Sequence, residues 1–217
     1  MNVMFDGTSL YLKLDGKNVF VLGSGEVGTR RALRFYNSKA NVKIIGENFC
    51  DEILNSDMEI INGFNLDEIK NSVKWADIVV IASTDSNLND YTSVLAKDKL
   101  LNRADFPDKG NLIVPTKVNI DDLEISIFTG GKSPLMAREI RKKIESIIST
   151  KEVLQIKLQD YCRDILKKKL KSQRKRKEYL EIIFSDENIE KFLDNGEFEV
   201  AKEYVDNNIL NSILEDK

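Results

Sequence analysis

Asn18-Val-Phe-Val-Leu-Gly-Ser-Gly-Glu-Val-Gly28 decides the fold. Val19 to Leu22 is an unbroken apolar run, the pattern of a strand buried on both faces. Gly23, Gly25 and Gly28 follow, and an amphipathic helical stretch runs on to about Ser38. The three glycines have separable uses. Gly23 permits a tight turn out of the strand. Gly25 offers no side chain to a group approaching the backbone. Gly28 lets the helix pack close to the sheet. Free amides at the helix start, around Ser24, Glu26 and Val27, point at whatever anion lies there.

Working outward, apolar runs at 41–45, 58–61, 77–82 and 101–104 read as further strands, with helices over 66–74 and 88–99. Strands separated by helical patterns of this length form right-handed βαβ units on a parallel sheet. The pattern then changes. Residues 111–117 and 123–128 read as two antiparallel strands, and Ser133 and Pro134 cap and open a helix running to about Ile148. From Lys151 onward nearly everything reads helical. The fold class is therefore α/β. A Rossmann-like parallel-sheet domain spans 1–108, a small strand-helix region 109–149, and a helical C-terminal domain 150–217.

Composition narrows the chemistry. The 217 residues carry a net charge of -3, with 33 basic and 36 acidic side chains, so global charge does not point to nucleic acid or a membrane. There is no histidine. That removes a Ser-His-Asp triad, histidine-ligated zinc and the usual base near neutral pH. Cys50 and Cys162 are too far apart for a CxxC pair and read as reduced thiols. No apolar run is long enough for a membrane span, and Met1 to Leu10 lacks a signal-peptide pattern. The expectation is a cytoplasmic protein without a resident metal. Lys167 to Lys177 is a basic run on a predicted helix, read as a solvated face, a substrate-steering patch or, more distantly, a nucleic-acid contact.

Several residues surround the strand ends. Glu47, about 20 residues beyond the third glycine, can accept from both hydroxyls of an adenosine ribose and would repel a 2′-phosphate, which favours NAD over NADP. Arg30 and Arg31 stand at the cation-disfavouring end of the helix, facing an anionic ligand or, for Arg30, pairing with Glu26. Ser83, Thr84 and Asp85 either reach a nicotinamide ribose or cap the next helix. Asp105 closes Asn102-Arg-Ala-Asp105 at a strand end and is a credible base in a chain without histidine, a strong one only in a desolvated site; the alternative is a structural loop carboxylate. Thr129-Gly-Gly-Lys-Ser-Pro134 joins a nest of amides at Gly130 and Gly131 to Lys132 and a helix start at Ser133, a carboxylate or phosphate site. It also fits a plain glycine turn with a good cap.

The order and spacing of Leu10-Tyr-Leu-Lys-Leu14 (a strand-like segment), the glycine turn, Ala82 to Asn87, Asn102 to Asp105, Ile125 to Pro134 and Ala137 to Arg141 resembles the precorrin-2 dehydrogenase family over residues 9 to 148. The resemblance implies NAD-dependent oxidation of precorrin-2 to sirohydrochlorin, with ferrous iron insertion added in some members. It implies a homodimer, with 109–149 in dimerisation. The family's essential aspartate falls on Asp105, and its serine near the tetrapyrrole falls on Thr129. NAD contacts fall on Glu26, Val27, Glu47 and Asn48. Lys132, Arg138, Arg141 and Arg103 are candidate partners for the substrate's carboxylates, with Asn102 beside them. Thr129 departs from the family's serine by a methyl group, and 149–217 has no residue-level match. A non-catalytic NAD-sensing module would need the glycine turn and Glu47 but not Asp105 or Thr129 to Pro134.

Overall fold

A computed structural model describes residues 7–213. The signal-peptide reading of Met1 to Leu10 and the end of the 150–217 domain fall partly outside these described residues. The chain divides into two compact units, with the boundary between Val114 and Pro115.

The first unit is a five-stranded parallel sheet of order β3-β2-β1-β4-β5, made of β1 (Asn18–Leu22), β2 (Asn41–Gly46), β3 (Glu59–Asn62), β4 (Ile78–Ile81) and β5 (Leu100–Arg103). Alternation within β1 splits the core. Val19 and Val21 face a cluster with Ala32 and Phe35 of α1 (Glu26–Tyr36) and Ile53 of the short α2 (Asp51–Leu54). Phe20 and Leu22 face a cluster with Ile69 and Val73 of α3 (Leu66–Trp75) and Leu88 of α4 (Ser86–Leu95). Both faces are therefore covered, which is why β1 and β4 are continuously apolar. Leu22 pairs with Ile45 on one side and Ile81 on the other, and Ile81 pairs with Arg103. The chain thus leaves β2, β1, β4 and β5 along one line. Strand order reverses between β1 and β4, the place where open α/β sheets form their ligand crevice.

Two strand expectations differ from the structure. Leu10 to Leu14 is not a strand. Leu14 packs on the α1-side core, and a turn through Gly16 (φ 72°), with Lys17 N donating to Leu14 O, feeds the chain into β1. Residues 111–115 are not a strand either. The Asn111 side chain takes part of the edge bonding, its Oδ1 accepting from Leu101 N at 2.7 Å and its Nδ2 donating to Lys99 O at 2.9 Å, while the backbone amides of Asn111 and Leu112 both donate to Leu101 O. A side-chain amide so placed closes the β5 edge without continuing it. A 3-10 turn, Pro107–Lys109, precedes it.

The second unit begins with the antiparallel pair β6 (Thr116–Ile120) and β7 (Leu123–Ile127), turning through Asp121 at φ 51°. The helix α5 (Pro134–Ile147) follows. Then α6 (Thr150–Lys169), α7 (Gln173–Phe184), α8 (Glu187–Asp194) and α9 (Phe198–Val205), with a π turn Asp206–Leu210, enclose Leu158, Cys162, Leu166, Ile183, Ile189 and Val205. Among the described residues, no helix is long and apolar enough to cross a membrane.

The basic run does not lie on one helix. It is split at Leu170 to Ser172, and Ser172 caps α7. Lys167 pairs with Asp164, Arg174 with Glu178 and Lys177 with Glu181, while Lys169 and Arg176 donate to the carbonyls of Leu210 and Leu170. Much of its charge is thus met locally, as on a solvated helix face.

Candidate active site

The turn Gly23 to Gly28 is held from three sides. Gly23 N donates to Ile45 O at 2.8 Å. Gly23 has φ 104°, and a Cβ there would stand 2.6 Å from Ala82 O. Only glycine suits both the backbone and the space. Thr29 Oγ1 donates to Ser24 O at 3.0 Å, and the Ser24 side chain lies over Gly46, where a Cβ would meet Ser24 Oγ at 2.1 Å. Gly46 is a fourth glycine of this site. The motif reading misses it because it belongs to the neighbouring strand.

The helix start is open. Helices α3 to α8 are each capped by a side chain: Asn65, Asp85, Ser133, Ser149, Ser172 and Asp186. The N-cap of α1 is Gly25, which has no side chain to offer and no atom within 4 Å of an added Cβ. The first amides of α1, at Glu26 and Val27, are therefore left without a side-chain cap at the positive end of the helix dipole. An open groove of about 630 Å³ runs along α1 from Ser24 and Glu26 past Arg30 and Leu33 to Asn37, with Cys50 beside it. It is the glycine turn and the uncapped start of α1, rather than this groove along the helix, that suit the pyrophosphate of a dinucleotide.

Glu47 and Asn48 follow β2 and are exposed. Arg30 pairs with Glu26 at 3.3 Å, the surface alternative of the sequence reading. Arg31 differs. Its Nε and Nη1 are buried without hydrogen-bond partners, and burial, with Arg30 and Arg34 nearby, lowers its pKa to about 10.

At the end of β4, Ser83 Oγ donates to Asn89 Oδ1 at 2.6 Å and accepts from Asp85 N, while Asp85 caps α4. Thr84 is exposed beside them. Asn89 Nδ2 donates to Ser83 O at 2.9 Å and to Asp105 Oδ2 at 3.0 Å, joining the ends of β4 and β5. Asp105 also accepts from Arg103, whose Nε reaches Oδ1 at 2.8 Å and Nη2 reaches Oδ2 at 2.7 Å. The hydrogen bonds and charge of Arg103 outweigh burial and hold the carboxyl below the ordinary aspartate range. Asp90 takes Arg103 Nη1 at 2.8 Å and Lys109 Nζ at 3.1 Å, and is likewise held low.

Arg103 was a candidate for binding substrate carboxylates. It is 3% exposed and committed to the carboxylates of Asp105 and the surface residue Asp90, because its β5 position turns it into the protein. Asn102 is 4% exposed, and its Nδ2 donates to Leu112 O, holding the segment behind Asn111. Asn89 and Asp90 were not foreseen. On α4 they carry no motif, and only the strand order brings them to Asp105.

The second glycine turn lies in the other unit. Gly130 and Gly131 are both left-handed, at φ 65° and 72°. Thr129 Oγ1 accepts from Ser133 N at 3.3 Å and donates to Ser133 O at 3.2 Å, and Lys132 N donates to Thr129 O. Ser133 Oγ accepts from Met136 N as the cap of α5. The turn thus satisfies part of its own nest. Lys132 is exposed. Arg138 and Arg141 have partners on α5, Glu139 at 3.7 Å and Glu145 at 3.5 Å, exposed pairs of little strength.

The sheet order, the glycine turn at its switch point and the uncapped α1 define a Rossmann-type dinucleotide-binding protein. Residues 10–116 match a family model described as "Putative NAD(P)-binding". A Methanocaldococcus jannaschii protein named "Putative precorrin-2 dehydrogenase" is 32% identical over 189 residues, covering 82% of this chain and 90% of that one. The chain belongs to the precorrin-2 dehydrogenase family. The precorrin-2 dehydrogenase of Methanosarcina barkeri is 27% identical, over 83% of this chain and 84% of its own. A siroheme synthase of Buchnera aphidicola is 30% identical over 88% of this chain but only 41% of its own length. The solved structure titled "SirC, precorrin-2 dehydrogenase" shares the fold, with a TM-score of 0.76 at 20% identity over 93% of this chain and 100% of that one.

Proposed function

We propose that this chain oxidises precorrin-2 to sirohydrochlorin with NAD, as a homodimer in the cytoplasm. The observation that carries the reading is the line of strand ends. Gly23, Ala82 and Ala104 follow the paired residues Leu22, Ile81 and Arg103. Two strand spacings, about 10 Å, thus separate the dinucleotide turn from the segment leading to Asp105.

The oxidation removes a hydride from a reduced ring carbon and a proton from a neighbouring position. NAD, when bound, supplies the hydride acceptor. The amides of Glu26 and Val27, together with Gly23, Ser24 and Gly25, hold the pyrophosphate. Glu47 accepts from the adenosine ribose and opposes a 2′-phosphate, with Asn48 beside it. Ser83 and Thr84 border the crevice, and Ser83 also fixes Asn89. Asp105 accepts the proton. Thr129, Gly130, Gly131, Lys132, Ser133 and Arg138 engage the substrate's carboxylates through amides, hydroxyls and charge, while Asn102 braces the strand end. Exposed Leu135, Met136 and Ile147 on α5, with Phe128 ahead of it, support the assignment of 109–149 to dimerisation.

The test is NADH formation from precorrin-2 under anaerobic conditions. We expect turnover in the parent and none in Asp105→Ala; full activity in that variant removes the base. Light scattering at the dimer mass checks the assembly. A second reading adds ferrous iron insertion into sirohydrochlorin and is supported by the likeness to siroheme synthases. Siroheme absorbance above the uncatalysed background would bear it out.

A further inference from the structure

The Asp105 carboxylate receives three N–H donors from two elements, β5 and α4. A two-point Arg fork fixes a carboxylate in one plane, which a single donor does not do. The Arg103 side chain is 2% exposed, and its third arm reaches the surface carboxylate of Asp90 at 2.8 Å, so the guanidinium is held at three points. Asn89, 1% exposed, holds Asp105 Oδ2 from the other side and is itself locked by Ser83. Asp105 keeps 27% side-chain exposure, so this rigid frame still leaves a carboxylate edge toward solvent.

We infer that Arg103 and Asn89 are positioning residues for Asp105: the buried fork sets the plane and charge of the carboxylate, and Asn89 ties it to the turn after β4. This rests on the reading of Asp105 as proton acceptor. A carboxylate with three donors is a weak base. Its usefulness lies in remaining ionised and fixed in direction. The ring becomes cationic as hydride leaves, its proton turns acidic, and a weak but well-aimed acceptor suffices. The charged groups around Asp105 are Arg103 on β5, Asp90 on α4 and, through Asp90, Lys109 of the 3-10 turn.

The test measures kcat and the KM for NAD against pH in the parent, Arg103→Met, Arg103→Lys and Asn89→Ser, with thermal melts to report folding. In Arg103→Met we expect the acid limb of kcat to move up by about 1–3 pH units. We also expect kcat at neutral pH to fall by about tenfold or more, with the KM for NAD unchanged. Arg103→Lys restores charge without the fork, so its acid limb returns toward the parent while kcat stays low. Should Arg103→Met not fold, Arg103→Lys and Asn89→Ser decide. A drop in kcat with unchanged KM supports the inference, and parental kcat across the pH range in both overturns it. Asp105→Asn separates the two levels. If it is fully active, the proton-acceptor reading falls. If it is inactive while the Arg103 and Asn89 variants match the parent, only the positioning role falls.

Discussion

The carbonyl oxygen of Gly23 occupies the space that a side chain at Gly28 would need, since a Cβ there would come within 1.9 Å of it. Gly28 is therefore glycine because α1 rests on the turn out of β1. Gly25 is different: its φ of -68° suits any residue, and an added Cβ meets nothing within 4 Å. Among the described residues, no contact requires glycine there. The proposed pyrophosphate site would, because a side chain would stand between the ligand and that backbone.

Gly28→Ala should lower stability by about 1–3 kcal/mol, the cost of forcing a methyl into packed backbone. Gly25→Ala should leave stability within about 0.5 kcal/mol, as for a surface change, yet weaken NADH binding by about tenfold or more. Thermal melts and a fluorescence titration check the pair. Parental NADH affinity in Gly25→Ala would contradict the pyrophosphate cradle.

The two cysteines should react differently. Cys162 is buried in the helical core, and burial with nearby Asp206 pushes its thiol up to about 12. Cys50 is exposed and lines the groove beside Ser24. Iodoacetamide should label Cys50 alone in the folded protein, and saturating NAD should slow that labelling. Peptide mass spectrometry distinguishes the sites, and labelling of both at equal rates would argue against this packing.

Acid should erode what Asp105 contributes to stability. Its pKa is depressed in the folded protein, so the unfolded chain binds more protons in the acid range. The contribution is complete above the unfolded value, about 4, and is lost as pH falls through the lower folded value. The urea midpoint of Asp105→Asn should thus lie below the parent's at pH 7, and the gap should close toward pH 3. A gap independent of pH would show that the Arg103 pair contributes no such linkage.

Asn111→Ala should destabilise the first unit by about 1–3 kcal/mol, because Leu101 N loses its acceptor and Lys99 O its donor at the sheet edge. Asn111→Asp keeps the acceptor and should cost less. Urea unfolding ranks the three proteins, and equal midpoints would refute the edge-closing role.

Much was legible where the determinants are local. The apolar runs of β1 and β4, the glycine spacing after Leu22, and the Ser133-Pro134 helix start each carry their signal within a few residues, and each forms as expected. Residues 111–115 misled because Leu112 to Val114 is a short apolar run like that of a strand, whereas only Asn111 and Leu112 meet β5, through the Asn111 side-chain amide and two backbone amides that share Leu101 O. The charge of Lys167 to Lys177 read as one face until the helix break at Leu170 to Ser172 divided it.

By itself, the sequence determined the parallel α/β core, the dinucleotide turn and the candidacy of Asp105, since periodicity and backbone freedom are properties of neighbouring residues. Tertiary structure alone decided that Arg103 faces inward, that Asn89 joins two strand ends and that Gly46 lies under Ser24. Those relationships arise from strands placed side by side by chain crossovers, and hydrogen bonds across that distance leave no periodic trace along the chain.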